Sequence, residues 1–382
     1  MNNAVIVGAA RTAVGKRNGK LSTVRPDDLL AETLKALVAR TGIDPAEVED
    51  VVIGCVDQLG EQGLNIARNA ALIGGFPLDV CGTTLDRMCG SGQQAANFAA
   101  MGVMSGQYDC VIAGGVESMS RVPMGSNADG PGEGALSPRL QALYNIVPQG
   151  ISAEMLAEQW GLKREELDKF SGESHEKAGR AIAEGRFKRE IAPITLPDGS
   201  VFEVDEGVRV PVNWEKLGSL APSFKQDGVV TAGNSSQISD GAAALLIMSE
   251  ARAKALKLTP RARIVATSLA GVDPTIMLTG PIPATQRVLR KAGLTIDQID
   301  LFEINEAFAS VVLAWEREYR PDMERVNVNG GAIAIGHPTG CSGARLMATL
   351  LNELERTGGR YGLQTMCEGG GQANATIIER LG

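Results

Sequence analysis

The sequence has few of the side chains that build metal sites, nucleic-acid surfaces and membrane spans. Only two histidines, His175 and His337, occur in 382 residues, and the six cysteines form no CxxC pair, so a structural zinc site is not expected. The sequence contains 37 Lys and Arg and 45 Asp and Glu, which gives a formal net charge of −8. A negative net charge is a poor match for a nucleic-acid binder. The longest uncharged stretch, residues 89–108, contains glutamine and asparagine and is not a membrane span.

The N-terminal residues and the composition predict a reduced, cytoplasmic, globular protein. Residues 1–10, MNNAVIVGAA, lack the charged n-region and long apolar core of a signal peptide. Aromatic residues make up only 4% of the chain, whereas apolar residues make up 44% and glycine occurs 46 times. At roughly 150 residues per domain, the length favours two to three domains.

Short β-rich runs alternate with helical periods, which predicts an α/β fold. In the first half we predict an amphipathic helix over 26–41, closed by Gly42, and strands at 4–9, 48–56, 83–87 and 110–115. In the second half we predict helices at 283–292 and 341–357 and strands at 263–270, 299–305, 363–367 and 375–381.

A single offset of 251 residues relates two separate pairs of segments. It aligns GIDPAEVEDVVIG (42–54) with GLTIDQIDLFEIN (293–305), and it places Ser91-Gly92 on Ser342-Gly343, each at the start of a helix. The pattern predicts a duplicated half. Residues 116–240 do not fit the repeat and are expected to form an inserted lobe, with a Gly/Pro/Ser-rich start (124–134), helices at 152–160 and 164–184, and a polar hairpin within 195–207.

Four Gly-containing or polar segments lie at predicted junctions, where catalytic residues concentrate: DRMCGSG (86–92), NEAF (305–308), GHPTGCSGA (336–344) and CEGGGQ (367–372). Cys89 precedes a helix, whose N-terminus favours the thiolate, although a small buried side chain is the commoner fate of cysteine. His337 lies in a Gly-Pro turn and is a candidate base or oxyanion donor. His175 lies on a polar helix and is expected at the surface.

Cys367 and Asn305 complete the candidate set. Cys367 is followed, after Glu368, by three glycines, whose bare N–H groups suit an oxyanion hole. Asn305 either orients a water or a carbonyl group or caps a helix. Together the segments favour acyl transfer with one nucleophilic cysteine and a second acid/base thiol. A cysteine protease would not need the second thiol, and a redox enzyme would need only the two cysteines.

These segments, with AARTAVGK (9–16), AGGVESMS (113–120) and TAGNSSQISDGAAA (231–244), resemble the thiolase family over nearly the whole chain. The resemblance implies an α/β thiolase fold, in which duplicated βαβαβαββ halves form a five-layer αβαβα core with an inserted loop domain. The implied domains are an N-terminal half at 1–117, continued at about 241–258, an inserted CoA-binding loop domain at 118–240, and a C-terminal half at 259–382.

The resemblance also implies roles for individual residues. Cys89 is the expected nucleophile, His337 activates it, and His337 with a water held by Asn305 forms one oxyanion hole. Cys367 moves the proton at the α-carbon, and the backbone N–H groups of Cys89 and Gly369 form a second hole. The implied reaction is ping-pong thiolysis of 3-ketoacyl-CoA, the reverse of a Claisen condensation.

Coenzyme A is the implied co-substrate, with no permanently bound cofactor and no metal. The expected CoA contacts are Arg209, Phe224, Ala232, Gly233 and Ser236. A homodimer or homotetramer is expected, with acyl-CoA and CoA as small-molecule partners and neither nucleic acid nor a membrane.

Two departures from the family pattern bear on the substrate. Pro148-Gln149-Gly150 replaces the His-Met-Gly usual in acetoacetyl-CoA-forming thiolases, and Ala373 stands where glycine is usual. The tail CEGGGQANATIIERL resembles bacterial catabolic thiolases, including some for sterol side chains, which favours degradation and leaves the acyl chain length open. The alternatives are an acetoacetyl-CoA-forming enzyme, a β-ketoacyl synthase-like enzyme, a redox protein, and a silent CoA- or lipid-binding protein.

Overall fold

The computed structural model describes residues 2–128, 132 and 134–382, and within these ranges the chain is built on a large mixed β-sheet. The strands are β1 (Ala4–Arg11), β2 (Gly15–Lys16), β3 (Asp50–Gly54), β4 (Cys81–Leu85), β5 (Cys110–Ser118), β6 (Ile194–Thr195), β7 (Val201–Phe202), β8 (Ser239–Ser249), β9 (Ala262–Gly271), β10 (Leu301–Ile304), β11 (Tyr361–Glu368) and β12 (Gln372–Arg380).

The α-helices flank and separate the two halves of this sheet. They are α1 (Pro26–Thr41), α2 (Ile66–Ile73), α3 (Ser91–Ser105), α4 (Pro138–Leu143), α5 (Gln149–Gln159), α6 (Arg164–Ala183), α7 (Trp214–Gly218), α8 (Glu250–Ala255), α9 (Pro281–Ala292), α10 (Ala309–Tyr319) and α11 (Thr339–Thr357). No helix in the described residues is both long enough and apolar enough to cross a membrane.

The strand order shows the duplication directly. It runs β10-β11-β12-β9-β1-β8-β5-β3-β4, and β1 pairs antiparallel with β9 through Val5–Arg263 and Ile6–Ala262, where the two halves meet. In each half one antiparallel strand (β8 or β12) lies between the first strand and the parallel strands. An offset of 251 superimposes the start of β3 on that of β10, as the sequence predicts, and it also superimposes the start of β5 on that of β11.

Three apolar clusters fill the spaces between five layers. One packs α1 and α2 against the outer face of the N-terminal strands, a second surrounds α3 and α11, and a third packs α9 and α10 on the outer face of the C-terminal strands. The order α-β-α-β-α confirms the predicted thiolase fold. The halves share one central layer, made of the two duplicated helices α3 and α11.

Glycines let α3 and α11 approach backbone to backbone. A Cβ atom at Gly92 would lie 2.7 Å from the Gly340 carbonyl oxygen, and one at Gly343 would overlap the backbone nitrogen of Gln93. Gly92 and Gly343 are the pair that the 251-residue offset relates. Because each helix begins near this contact, the turns that precede the two helices lie side by side.

The inserted segment between β5 and β8 carries α4 to α7 and the β6–β7 hairpin. The predicted hairpin and the two predicted helices are present, the latter as α5 and α6. In the predicted Gly/Pro/Ser-rich start at 124–134, residues 129–131 and 133 lie outside the described residues. The domain limits themselves remain a prediction.

Two features of the fold differ from what the sequence predicts. Strand β8 is not predicted, because it is fully buried and rich in alanine and glycine and lacks the alternating, β-branched pattern of a typical strand. The prediction that His175 lies at the surface is wrong, since its side chain is 7% exposed. Its Nδ1 accepts the Arg209 backbone N–H at 3.1 Å, and burial, with Arg209 nearby, lowers its pKa to about 4.

Replacing Gly343 tests the close approach of α3 and α11. Gly343→Ala is expected to destabilise the fold by about 1–3 kcal/mol, because the added methyl group meets rigid backbone, and this outweighs the gain of about 1 kcal/mol from helix propensity. The measurement is the midpoint of urea unfolding. Gly271→Ala is the matched control, since its Cβ would meet no atom within 4 Å. Equal midpoints for Gly343→Ala and the control would contradict this account of the packing.

Candidate active site

A cavity of about 740 Å³ opens where both halves and the inserted segment meet. The N-terminal half contributes Lys16 and Cys89, and the C-terminal half contributes Phe308 and His337. The inserted segment contributes Gln149, Arg209, Ser223, Phe224, Ala232, Ser235 and Ser236. The cavity therefore joins Cys89 and His337, which are 248 residues apart in sequence.

Cys89 lies in a tight turn between β4 and α3. Met88, just before it, has a left-handed backbone with φ 47°, and its N–H donates to Asp86 Oδ1 at 2.6 Å. Ser91 Oγ accepts the Arg87 N–H at 2.8 Å and donates to the Met88 carbonyl at 2.6 Å. These bonds fix the strained turn and hold Cys89, 7% exposed, at the cavity wall.

The expectation that the helix N-terminus favours a Cys89 thiolate is wrong for this site. Burial, then the Glu368 carboxylate, raises the pKa of Cys89 to about 12, and Glu117 and Asp86 add smaller effects in the same direction. The desolvation of the thiolate outweighs the helix dipole. Without substrate, Cys89 is a neutral thiol.

His337 is held by hydrogen bonds on both its backbone and its ring. The backbone N–H of His337 donates to Ser239 Oγ at 3.1 Å, and the ring Nδ1 lies 2.6 Å from Ser342 Oγ. Ser342 in turn donates to the Pro338 carbonyl at 2.9 Å, so Nδ1 carries the ring proton and donates to Ser342. Nε2 is therefore unprotonated and accepts the Asn305 Nδ2 N–H at 3.3 Å.

The electrostatic surroundings keep this imidazole neutral. Burial, with Arg345 nearby, lowers the pKa of His337 to about 3. A neutral imidazole with an unprotonated Nε2 is the form that accepts a proton. The site thus presents a neutral thiol and a neutral base in one cavity.

Cys367, Asn305 and Gly369 lie behind or beside the cavity wall. Cys367 is 1% exposed, and burial, then the nearby Cys89, raises its pKa well above the usual value. Asn305 is anchored by its N–H to the Thr365 carbonyl at 3.1 Å. A Cβ atom at Gly369 would lie 3.3 Å from Met88 Cγ, which places this glycine against the Cys89 turn.

Four of the five expected CoA contacts line the cavity, namely Arg209, Phe224, Ala232 and Ser236. Gly233 is buried beneath them, and its N–H donates to Thr231 Oγ1 at 3.1 Å. The Ser236 N–H donates to the Ala307 carbonyl at 2.9 Å, so the segment 231–236 rests on the NEAF turn. Phe224 packs edge-on against Phe308, with ring centroids 6.1 Å apart.

Glu117 has a role at the site that the sequence does not predict, although it lies in the AGGVESMS segment. Its buried carboxylate accepts the N–H groups of Gly340 at 2.8 Å and Val56 at 2.9 Å, and the Thr339 hydroxyl at 3.0 Å. It thereby ties the start of α11, next to His337, to the N-terminal half. The only signal in the sequence is a glutamate inside an apolar strand.

No cluster of three or more His, Cys, Asp or Glu side chains in the described ranges is arranged to hold a metal ion. The six cysteines are free, and five of them are buried.

Comparison with known proteins gives one consistent family. Residues 4–251 match the N-terminal thiolase domain and residues 258–380 match the C-terminal thiolase domain. The chain is 52% identical to a steroid 3-ketoacyl-CoA thiolase of Mycobacterium tuberculosis, covering 100% of this chain and 95% of that protein. It is 44% identical to a 3-ketoacyl-CoA thiolase of Bacillus subtilis, covering 99% and 100%.

A solved structure shares the fold over the same length. The crystal structure of the Bacillus anthracis acetyl-CoA acetyltransferase matches with a TM-score of 0.92 and 42% sequence identity, covering 100% of this chain and 99% of that one. Since both thiolase domains, the five-layer fold and full-length relatives agree, the chain belongs to the thiolase family and is an acyltransferase.

Proposed function

We propose that this chain cleaves 3-ketoacyl-CoA with coenzyme A, giving acetyl-CoA (or propionyl-CoA) and a shortened acyl-CoA through an acyl-Cys89 intermediate. One observation carries the proposal: Cys89 and His337 line the same cavity, while Ser342 binds Nδ1 and leaves Nε2 of His337 as the ring's hydrogen-bond acceptor. The identity to full-length 3-ketoacyl-CoA thiolases supports the same reaction.

In the first step the Cys89 proton moves to His337 Nε2 as sulfur attacks the 3-keto carbon. Both groups are neutral at rest, so transfer and attack are coupled and no buried ion pair has to exist beforehand. Once protonated, Nε2 becomes a hydrogen-bond donor. This converts His337 from a base into one arm of an oxyanion hole.

Asn305 and two backbone N–H groups supply the remaining oxyanion contacts in this proposal. Asn305 Oδ1 is buried and has no hydrogen-bond partner among the described residues, which suits it to hold a water beside His337. The N–H groups of Cys89 and Gly369 form the second hole, over the acyl-enzyme. The packing of Gly369 against the Cys89 turn supports this pairing.

Cys367 is the proposed acid for the leaving enolate. Breaking the C2–C3 bond leaves the electron pair on the α-carbon, which takes the Cys367 proton and departs as acetyl-CoA. In the second half-reaction the incoming CoA thiol gives its proton to Cys367 and attacks the acyl group. The Cys89 thiolate that leaves recovers its proton from His337, so both thiols are restored.

Coenzyme A is the proposed co-substrate, bound by Arg209, Phe224, Ala232, Gly233 and Ser236. Arg209 supplies a guanidinium for a nucleotide anion at the rim of a cavity in an otherwise acidic protein. Phe224 is 41% exposed, so this cavity-lining residue is accessible to a ligand. No further cofactor is part of the proposal.

We also propose that the chain forms a homodimer, or a tetramer built from such dimers, in the cytoplasm. Strand β4 is the edge of the large sheet and offers an open row of backbone groups. Exposed apolar side chains lie on the elements next to this edge, including Leu78 at 82% in the loop before β4 and Leu72 at 42% and Ile73 at 43% on α2. Six free thiols suit a reducing compartment.

Removing the nucleophile tests the first half-reaction. Cys89→Ala is expected to lower kcat/KM for 3-ketoacyl-CoA thiolysis by at least about 10³-fold, because no other group forms the acyl intermediate. Acetyl-CoA release is the measured quantity, over a series of acyl lengths that includes a steroid 3-ketoacyl-CoA. Cys81→Ala, at an exposed cysteine, is the control and keeps full activity. Turnover in Cys89→Ala would exclude the mechanism.

Removing the second thiol separates acylation from carbon–carbon cleavage. Cys367→Ala is expected to accept an acetyl group on Cys89 from acetyl-CoA, while its thiolysis rate falls by about 10²–10⁴-fold for want of the acid. Acylation is measured by intact-protein mass and thiolysis by product formation. If a folded Cys367→Ala protein loses acylation and thiolysis together, Cys367 does not have the role proposed here.

Arg209 tests the CoA site independently of the thiols. Arg209→Ala is expected to raise KM for CoA by about tenfold, roughly the loss of one hydrogen bond to a charged group, with kcat little changed. Steady-state kinetics with varied CoA gives both constants. Arg290→Ala, an exposed position on α9, is the matched control. An unchanged KM in Arg209→Ala would remove this residue from the site.

A further inference from the structure

Glu368 is a buried carboxyl group next to both cysteines of the site, and the mechanism above does not use it. It is the last residue of β11, directly after Cys367, and its side chain is 0% exposed. Neither Oε1 nor Oε2 has a hydrogen-bond partner among the residues that the structure describes. Buried carboxyl groups in folded proteins normally have hydrogen-bond partners, so a fully buried carboxyl group without one points to a function.

The side chain points to the start of α3, on the side of Cys89. A Cβ atom at Gly90 would overlap Glu368 Oε1 and would lie 2.7 Å from its carboxyl carbon and 2.9 Å from Asn374 Nδ2. Asn374 Nδ2 instead donates to the Gly90 carbonyl at 3.0 Å. The carboxyl therefore lies against the residue that follows the nucleophile.

The charged groups that act on this carboxyl are few. Burial raises the pKa of Glu368 to about 8, Arg87 opposes the shift and Asp86 adds to it. On β12 the facing residues are the neutral Gln372 and Asn374, and Arg87 Nη1 donates to Gln372 Oε1 at 3.2 Å. In turn the Glu368 carboxylate raises the pKa of both Cys89 and Cys367.

We propose that Glu368 is a positioning residue that acts through the two cysteines: it has to hold its own proton whenever Cys89 or Cys367 carries negative charge. It gains and loses no proton during turnover. When neutral it tolerates a thiolate beside it, and when ionised it opposes thiolate formation by like-charge repulsion. The charge of Glu368 thus sets the upper pH limit of the thiol chemistry.

The direction of the pH effect follows from the fact that Glu368, with a pKa of about 8, ionises at lower pH than Cys89, with a pKa of about 12. Below pH about 8 the carboxyl is neutral and adds nothing to the burial that already raises the pKa of both thiols. Above it, the carboxylate is present and pushes thiolate formation to still higher pH. Activity is expected to fall as Glu368 ionises, although thiolate reactivity normally rises with pH.

Glu368→Gln tests this with a readout that needs no CoA substrate. The rate at which iodoacetamide alkylates Cys89 is followed from pH 7 to 10 by peptide mass. Because one adjacent charge shifts a pKa by about one unit or more, alkylation near pH 9 is expected to be about tenfold faster in Glu368→Gln than in wild type. Glu368→Asp, which keeps the charge, is expected to stay close to wild type.

Glu303→Gln is the matched control for loss of a buried carboxyl. Burial also raises the pKa of Glu303 to about 8, but the charges that act on it are Arg345 and other carboxylates, not the site cysteines. Its alkylation profile is expected to match wild type. Equal alkylation rates in wild type and a folded Glu368→Gln protein would overturn the proposal, as would equal acceleration in Glu303→Gln.

The second measurement is the pH dependence of kcat for thiolysis, and it rests on the proposed function. In Glu368→Gln the alkaline fall in kcat is expected to move upward by about one pH unit or more. An unchanged alkaline limb would contradict the proposed role in turnover. If wild type shows no thiolysis at any pH, the proposed reaction fails, while the alkylation result still decides the effect of Glu368 on Cys89.

Discussion

The contact between α3 and α11 fixes the relative position of the two turns that carry Cys89 and His337. The two helices meet backbone to backbone because Gly92 and Gly343 carry no Cβ atom. Each is preceded by a turn, one with Cys89 and the other with His337, so the packing of duplicated helices brings together residues from different halves. Glu117 strengthens the arrangement by binding the N-terminus of α11 from β5.

The chemistry of the site depends on burial more than on charge pairing. Both reactive cysteines have raised pKa values, and His337 has a lowered one, so desolvation acts on each of them in the direction of the neutral form. The two cysteines, which the proposed mechanism uses as proton donors, therefore hold their protons in the resting site. In the proposed mechanism, reactivity appears only when substrate carbonyl groups occupy the oxyanion holes.

Much of the fold follows from the sequence because the duplication leaves a periodic signal. The offset of 251 residues locates equivalent strands and the Gly92–Gly343 pair from the order of the amino acids alone. Strand β8 escapes the same reasoning, since an Ala- and Gly-rich strand buried on both faces shows no alternation. The surface prediction for His175 fails because a segment 34 residues away covers this polar helix face, through Arg209.

The sequence provides candidates for the site residues, but it does not show their electrostatics. The motifs around Cys89, His337 and Cys367 mark the reactive groups through the family resemblance. The acidity of Cys89 depends on Glu368, which lies 279 residues later in the chain. Helix-dipole reasoning is local and favours a thiolate, whereas the assembled site buries the thiol beside the Glu368 carboxyl group. Only the tertiary structure shows which effect is larger.

The most direct test of the account is the intact mass of the wild-type protein mixed with a 3-ketoacyl-CoA, with peptide mapping before and after addition of free CoA. Acetoacetyl-CoA and a longer or steroid 3-ketoacyl-CoA are compared. The account predicts an added acyl mass on Cys89 that disappears when CoA is supplied. No adduct with any of these substrates, or an adduct on another residue, would contradict it and would make a silent CoA-binding protein the better description.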